Sequence, residues 1–144
     1  MPVVVRTDCV FCAIVAGATI ASIVHSDEHI VAFMDIRPFT PGHLLVIPRR
    51  HCVGLADLDP RDGARLFQAA QLLAGALRRS ELPCEGVNLF LADGLAAGQE
   101  VFHVHLHVVP RTQGDGIRLH ADWRFPPRTE LDQHAAMLRG LSTS

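Results

Sequence analysis

The run His103-Val104-His105-Leu106-His107-Val108-Val109-Pro110 places an imidazole at every second position. That alternation is the period of a half-buried β-strand, so the three histidines are expected on one face, with Val104, Leu106 and Val108 packing on a core. Imidazoles so spaced stand about 7 Å apart, close enough to act on one phosphate or to be divided between two adjacent sites. A neutral imidazole is a competent nucleophile near pH 7, because its reference pKa of about 6.5 leaves much of it unprotonated. Attack on phosphorus would form a P–N bond that water or another acceptor later breaks, dividing one displacement into two. Just upstream, Gly98-Gln99-Glu100-Val101 offers backbone donors and the Gln99 amide as dipoles for charge developing on phosphate. A carboxylate at Glu100 repels phosphate, so this residue is expected either to contribute its backbone N–H or to select against highly anionic leaving groups.

Cys9-x-x-Cys12 has the spacing of a zinc knuckle. Spacing alone leaves a redox pair or two core cysteines open. Cys52 and Cys84 read as ordinary free thiols, which points to a reducing, cytoplasmic setting.

The triad and the preceding Gly98-Gln99 resemble the signature of the histidine-triad (HIT) family of nucleotide hydrolases and transferases, and the resemblance extends from about Cys9 to Arg111. It implies a five-stranded antiparallel sheet with two main helices, paired as a homodimer. It implies that the central His105 attacks the α-phosphorus of a purine nucleotide, that His107 contacts a phosphate oxygen, and that His43 supports the triad through hydrogen bonds. Asp35 matches the position whose carboxylate accepts from both ribose hydroxyls, and Phe11, Ile36 and Leu45 match positions lining the base pocket. The resemblance also implies that zinc is held by Cys9, Cys12, His51 and His103, a structural ion that withdraws His103 from catalysis. Two departures bear on the leaving group. Many members carry Ser or Thr where Glu100 stands, and some carry Asn where this chain has Ala92, for which Asn88 is a substitute on the same strand face.

The elements that must position these groups follow from the rest of the chain. Its 144 residues, 49% hydrophobic, suit one domain (1–144) with its core in about 9–111 and a tail over 112–144. A formal net charge of −2 with no basic run argues against nucleic-acid binding. Arg6 and the apolar run from Val10 to Val24 imitate a targeting segment, but the run is too short to span a bilayer and cleavage there would remove the paired cysteines. Strands are expected at 22–25, 29–35, 43–48, 87–92 and 101–109, with a short helix or turn at 9–16. Asp59-Pro60 opens a long helix to about Ser80, with Gly63, Phe67, Ala70, Ala74 and Leu77 as its buried stripe. Thr129-Glu130-Leu131-Asp132 reads as the capped start of a last helix and Gly140 as its stop. Short strands interrupted by one long helix give an α+β antiparallel sheet.

Three readings of function follow. The first is a hydrolase working through a nucleotidyl-histidine on phosphoramidates, dinucleoside polyphosphates or adenylyl sulfate. The second is a phosphorylase that transfers the nucleotide to phosphate, and the third a non-catalytic AMP-binding module. A purely zinc-binding structural protein leaves Gln99, His105, His107 and Asp35 without a role.

Overall fold

The computed structural model describes residue 6 and residues 8–142. Five strands, β1 (Ile23–Ser26), β2 (Ile30–Met34), β3 (Leu44–Pro48), β4 (Gly86–Leu91) and β5 (Leu106–Arg111), form one sheet in the order β1-β2-β3-β5-β4. Every pairing is antiparallel, as expected of hairpin-connected short strands. β3 is central, and all five of its residues are buried, which explains its near-continuous apolar sequence. The Asp27 carboxylate shapes the β1–β2 turn by accepting from the His29 and Ile30 N–H groups at 2.8 and 3.0 Å.

One sheet face is covered by the helix α2 (Pro60–Arg79). Asp59 caps it by accepting from the Arg61 N–H at 2.8 Å, with Pro60 in the first turn and Arg78 and Arg79 in the last. Leu66, Ala69, Ala70, Leu73 and Leu77 of α2 pack on Ile30, Ala32, Leu44, Val46, Leu106 and Val108. Of the expected stripe, Ala70 and Leu77 are buried, but Phe67 is 59% exposed and Leu66 and Leu73 face the core in its place. Apolar residues flank both stripes, so helical periodicity alone does not choose between them.

The other face carries a smaller cluster, in which Phe11 packs with Val31, Phe33, Leu45 and Ile47. Phe11 comes from the short helix α1 (Val10–Val15), so this packing lays the N-terminal segment beside the triad.

β5 begins at Leu106 rather than at the expected 101. Pro48 has no N–H to extend the ladder from β3, and the Val104 N–H donates to the Cys52 carbonyl at 2.8 Å instead. His103 and His105 therefore stand in a bend before the strand, with only His107 on it. The last helix, α3 (Arg128–Leu141), starts after Pro127 without a side-chain cap, so Thr129 is not its cap, and Gly140 lies inside its final turn. None of its residues is buried. Among the described residues, no helix is long and apolar enough to cross a membrane.

Candidate active site and metal centre

Two clusters meet at the bend before β5. In the first, single ligand atoms of Cys9, Cys12, His51 and His103 all lie within 4.8 Å of one another. His103 Nδ1 is 3.5 Å from Cys9 Sγ and 3.6 Å from Cys12 Sγ, and His51 Nδ1 is 3.3 Å from Cys12 Sγ. The His103 ring is fixed on its far side, where Nε2 lies 2.8 Å from the Pro48 carbonyl oxygen. A carbonyl only accepts, so Nε2 carries the proton and the Nδ1 lone pair faces the sulfurs. Burial, first of all, holds this ring neutral, down to about 4. Two thiols and two imidazoles converging in this way fit a closed tetrahedral zinc site. The donors come from the start of α1, the segment after β3 and the bend before β5, so an ion here joins three distant parts of the chain.

The second cluster contains His43, His105 and His107. His105 Nδ1 lies 2.8 Å from the His103 carbonyl oxygen, so Nδ1 carries the proton and Nε2 keeps its lone pair. The rings of His105 and His107 are 4.9 Å apart, and the Phe11 ring meets His105 edge-on at 5.1 Å. His43 is fully buried. Its Nδ1 accepts from the Phe39 N–H at 3.0 Å, which leaves Nε2 as the protonated nitrogen. That Nε2–H donates to His107 Nδ1 at 2.9 Å, and His107 is left with its own Nε2–H as a donor. Burial lowers His43 although the Asp35 carboxylate opposes it. Burial, then the neighbouring His105 and His43, hold His107 down at about 4. Both rings are therefore neutral near pH 7, one a donor to the next.

Asp35, His43 and His107 also converge closely enough to suggest a metal. The Phe39 N–H decides against it. With Nδ1 already accepting, His43 Nε2 could ligate a metal only as an imidazolate, so the cluster is a hydrogen-bond relay.

The other expected site residues divide. Leu45 is buried in the Phe11 cluster and Val101 packs against it, whereas Ile36 is 97% exposed. Asp35 follows β2, with Oδ1 accepting from the Arg37 N–H at 2.8 Å and Oδ2 3.6 Å from His43 Nε2. The expectation that the Gln99 amide is offered to phosphate is corrected. Its Oε1 accepts from the Gly94 N–H at 2.8 Å, and its Nε2 donates to the Val53 and Val101 carbonyls at 2.6 and 3.1 Å. Gln99 is a buried brace for the glycine loop. Asn88 stands two positions from Phe90, the residue paired with His107, and its Oδ1 accepts from Arg111 at 2.6 Å. Its amide is directed along the sheet, away from the triad.

Two contributors escaped the sequence reading. Phe39 fixes the His43 tautomer through its N–H, and its ring is stacked parallel on His107 at 6.3 Å. Arg37 reaches Glu100 across the site, Nη2 to Oε2 at 3.2 Å. Their place in the Arg37-Pro38-Phe39-Thr40-Pro41-Gly42-His43 loop was the available signal.

Comparison with known proteins agrees with this geometry. The HIT domain model matches residues 17–114. A HIT-like protein of Mycobacterium tuberculosis, described as uncharacterized, is 47% identical over 109 residues, covering 76% of this chain and 75% of its own. A structure described as a Zn-bound histidine triad family protein from Mycobacterium smegmatis superposes with a TM-score of 0.74 at 44% identity, covering 95% of this chain and 98% of that one. A HIT family hydrolase from Legionella pneumophila gives 0.66 at 38% identity, covering 74% and 95%. With a family match over residues 17–114 and relatives 44–47% identical over three quarters or more of the chain, this chain belongs to the HIT domain family.

Proposed function

We propose that the protein is a hydrolase that cleaves a substituted α-phosphate of a purine nucleotide through a nucleotidyl intermediate on His105. The observation that carries this reading is the pair of fixed tautomers. The His103 carbonyl holds His105 Nδ1–H, which frees Nε2 as the nucleophile, while the relay from Phe39 through His43 leaves His107 Nε2–H as a donor for a phosphate oxygen. His105 Nε2 forms the P–N bond as the bond to the leaving group breaks, and the leaving group departs with the electron pair and takes up a proton. Water then attacks the same phosphorus and returns His105. Asp35 is the acceptor for the ribose hydroxyls, and Phe11, Leu45 and Val101 provide an apolar wall for the base. Glu100 contributes at the phosphate side of the loop.

Cys9, Cys12, His51 and His103 are the zinc ligands in this reading, and the ion supplies cross-linking rather than reaction chemistry. Exposed Leu89 and Phe90 on the edge strand β4 support a homodimer. The buried thiol of Cys52, pushed up to about 11 chiefly by desolvation, is an inert core group compatible with a cytoplasmic setting.

The test is hydrolysis of adenosine phosphoramidate and diadenosine polyphosphates by wild type and His105→Ala, with products separated by chromatography. The expected result is AMP release by wild type and a loss of at least about 10³-fold in the variant. A nucleoside diphosphate formed when phosphate is the acceptor would instead identify a phosphorylase. AMP binding without turnover of either substrate would leave only a binding module.

A further inference from the structure

A cavity of about 390 Å³ beside the N-terminal segment opens onto the metal centre. Two of the four clustered donors, Cys9 and His51, line it together with Val53, Val101 and Phe102. The other two, Cys12 and His103, are each 0% exposed. The centre therefore has a sealed side and a side that small molecules reach, whereas a purely structural zinc site is closed all round. Of the chain's four cysteines, Cys9 alone lines the cavity. Its neighbour in the pair is close: the Cys9 and Cys12 sulfurs lie within 4.8 Å of one another, and the Cys12 N–H donates to Cys9 Sγ at 3.4 Å. A disulfide asks for sulfurs about 2 Å apart, so the pair closes within a single turn of chain. The other thiols are placed differently. Cys52 is buried in the α2 core, and Cys84 Sγ donates to the Gly86 carbonyl at 3.4 Å.

We propose that Cys9 and Cys12 are a hydroperoxide-sensitive modification site, at which a reversible disulfide alternates with bound zinc. The Cys9 sulfur, reached through the cavity, attacks one peroxide oxygen. The O–O bond breaks, one oxygen leaves as water, and Cys9 becomes a sulfenic acid. The Cys12 sulfur then attacks the Cys9 sulfur and displaces the second oxygen as water. Two thiols are oxidised to one disulfide as one peroxide is reduced to two waters. The protons come from the thiols, or from solvent where the sulfurs are metal-bound. The disulfide removes two of the four donors, so the oxidised centre releases its ion, and a dithiol reductant restores the pair. His103 carries the change to the nucleophile. Its Nδ1 lies 3.5 and 3.6 Å from the two sulfurs, and its carbonyl holds the His105 Nδ1–H.

The experiment treats the zinc-loaded protein with hydrogen peroxide. A colorimetric chelator follows zinc release above the peroxide-free rate, and peptide mapping by mass spectrometry locates the oxidised cysteines. The expected result is loss of the bound zinc together with a Cys9–Cys12 disulfide, both reversed by a dithiol and added zinc. Cys84→Ser should respond as wild type does. Val53→Trp narrows the cavity without removing a donor, and should keep its zinc while slowing both changes severalfold. Zinc retained with Cys9 still reduced overturns the proposal. So do sulfinic acid without a disulfide, release that a dithiol and zinc do not reverse, and an undiminished rate in Val53→Trp. A protein purified without zinc overturns the alternation with metal, and the mapping then decides the disulfide alone. The consequence for turnover rests on the hydrolase reading: AMP release should fall as the disulfide forms and return with zinc, and a constant rate overturns the link to His105. If no substrate is turned over at any stage, the hydrolase reading fails while the zinc and mapping results still decide the modification.

Discussion

At the residue scale, the site depends on which nitrogen of each histidine carries its proton. His105 could be read from the sequence as the central imidazole, because the alternation itself singles it out. The fixing of its tautomer by the His103 carbonyl could not, since that bond depends on the chain leaving the ladder before His105. Gln99 was misread for a related reason: an amide in a glycine loop suits a phosphate or a brace equally well, and only its burial shows the second. The neutral relay has a thermodynamic consequence. His43 and His107 are both lowered in the folded state, His107 to about 4, against about 6.5 in an unfolded chain. Between those two values the unfolded chain binds protons that the fold refuses. Stability is therefore full above about pH 7 and falls as pH drops from about 6.5 toward 4. The urea midpoint should decrease from pH 7.5 to pH 5, and His107→Gln should flatten part of that slope. A wild-type midpoint that is level across this range would show that the rings protonate without penalty.

At the element scale, the strands and α2 were legible in type and nearly in extent, because each combines an apolar period with a turn or cap signal. The boundaries of β5 and α3 were not. Nothing in the alternating sequence marks Pro48 as the partner that ends the ladder, and Pro127 starts α3 through its own backbone angle instead of a side-chain cap. The loop before β3 shows how an element holds the site. Gly42 has φ +96°, and a Cβ there would lie 3.1 Å from Leu77 Cδ2 and from Leu82 Cδ1, and 3.2 Å from Pro110 Cγ. Gly17 has φ +73° with open space around it. Gly17→Ala should cost about 1 kcal/mol from backbone strain alone, and Gly42→Ala about 2–3 kcal/mol because packing is added. Urea denaturation of the two variants separates these contributions. Equal losses would mean that the α2 and β5 side chains yield freely around residue 42. The Gly42 variant should also lose turnover, since His43 is the next residue and its position sets the relay.

At the scale of the whole molecule, the sequence predicted one domain with a five-stranded sheet, and the metal ligands were assembled by resemblance, because Cys9 and His103 are 94 positions apart. What it could not show is that the chain has two separate packing centres. The larger lies under α2, and the smaller lies around Phe11, next to the cysteine–histidine cluster. Zinc held by Cys9, Cys12, His51 and His103, as proposed, would tie the smaller centre to the sheet, whereas the packing of α2 involves none of those four residues. Removing the metal should therefore loosen the N-terminal segment and leave α2 folded. The purified protein is expected to contain one zinc per chain by elemental analysis. Chelation, or Cys9→Ser, should lower Tm by about 10 °C, the shift that about 3 kcal/mol produces in a domain of this size. The far-UV helical signal below the transition should be nearly unchanged, since α1 is only six residues long. Hydrogen exchange should accelerate in residues 9–15 and 101–105 and stay slow in α2. Because the His103 ring sits among the ligands while its carbonyl holds His105, turnover should fall with the metal even where the sheet persists. A metal-free preparation whose Tm is unaffected by Cys9→Ser would show that these four side chains pack without an ion.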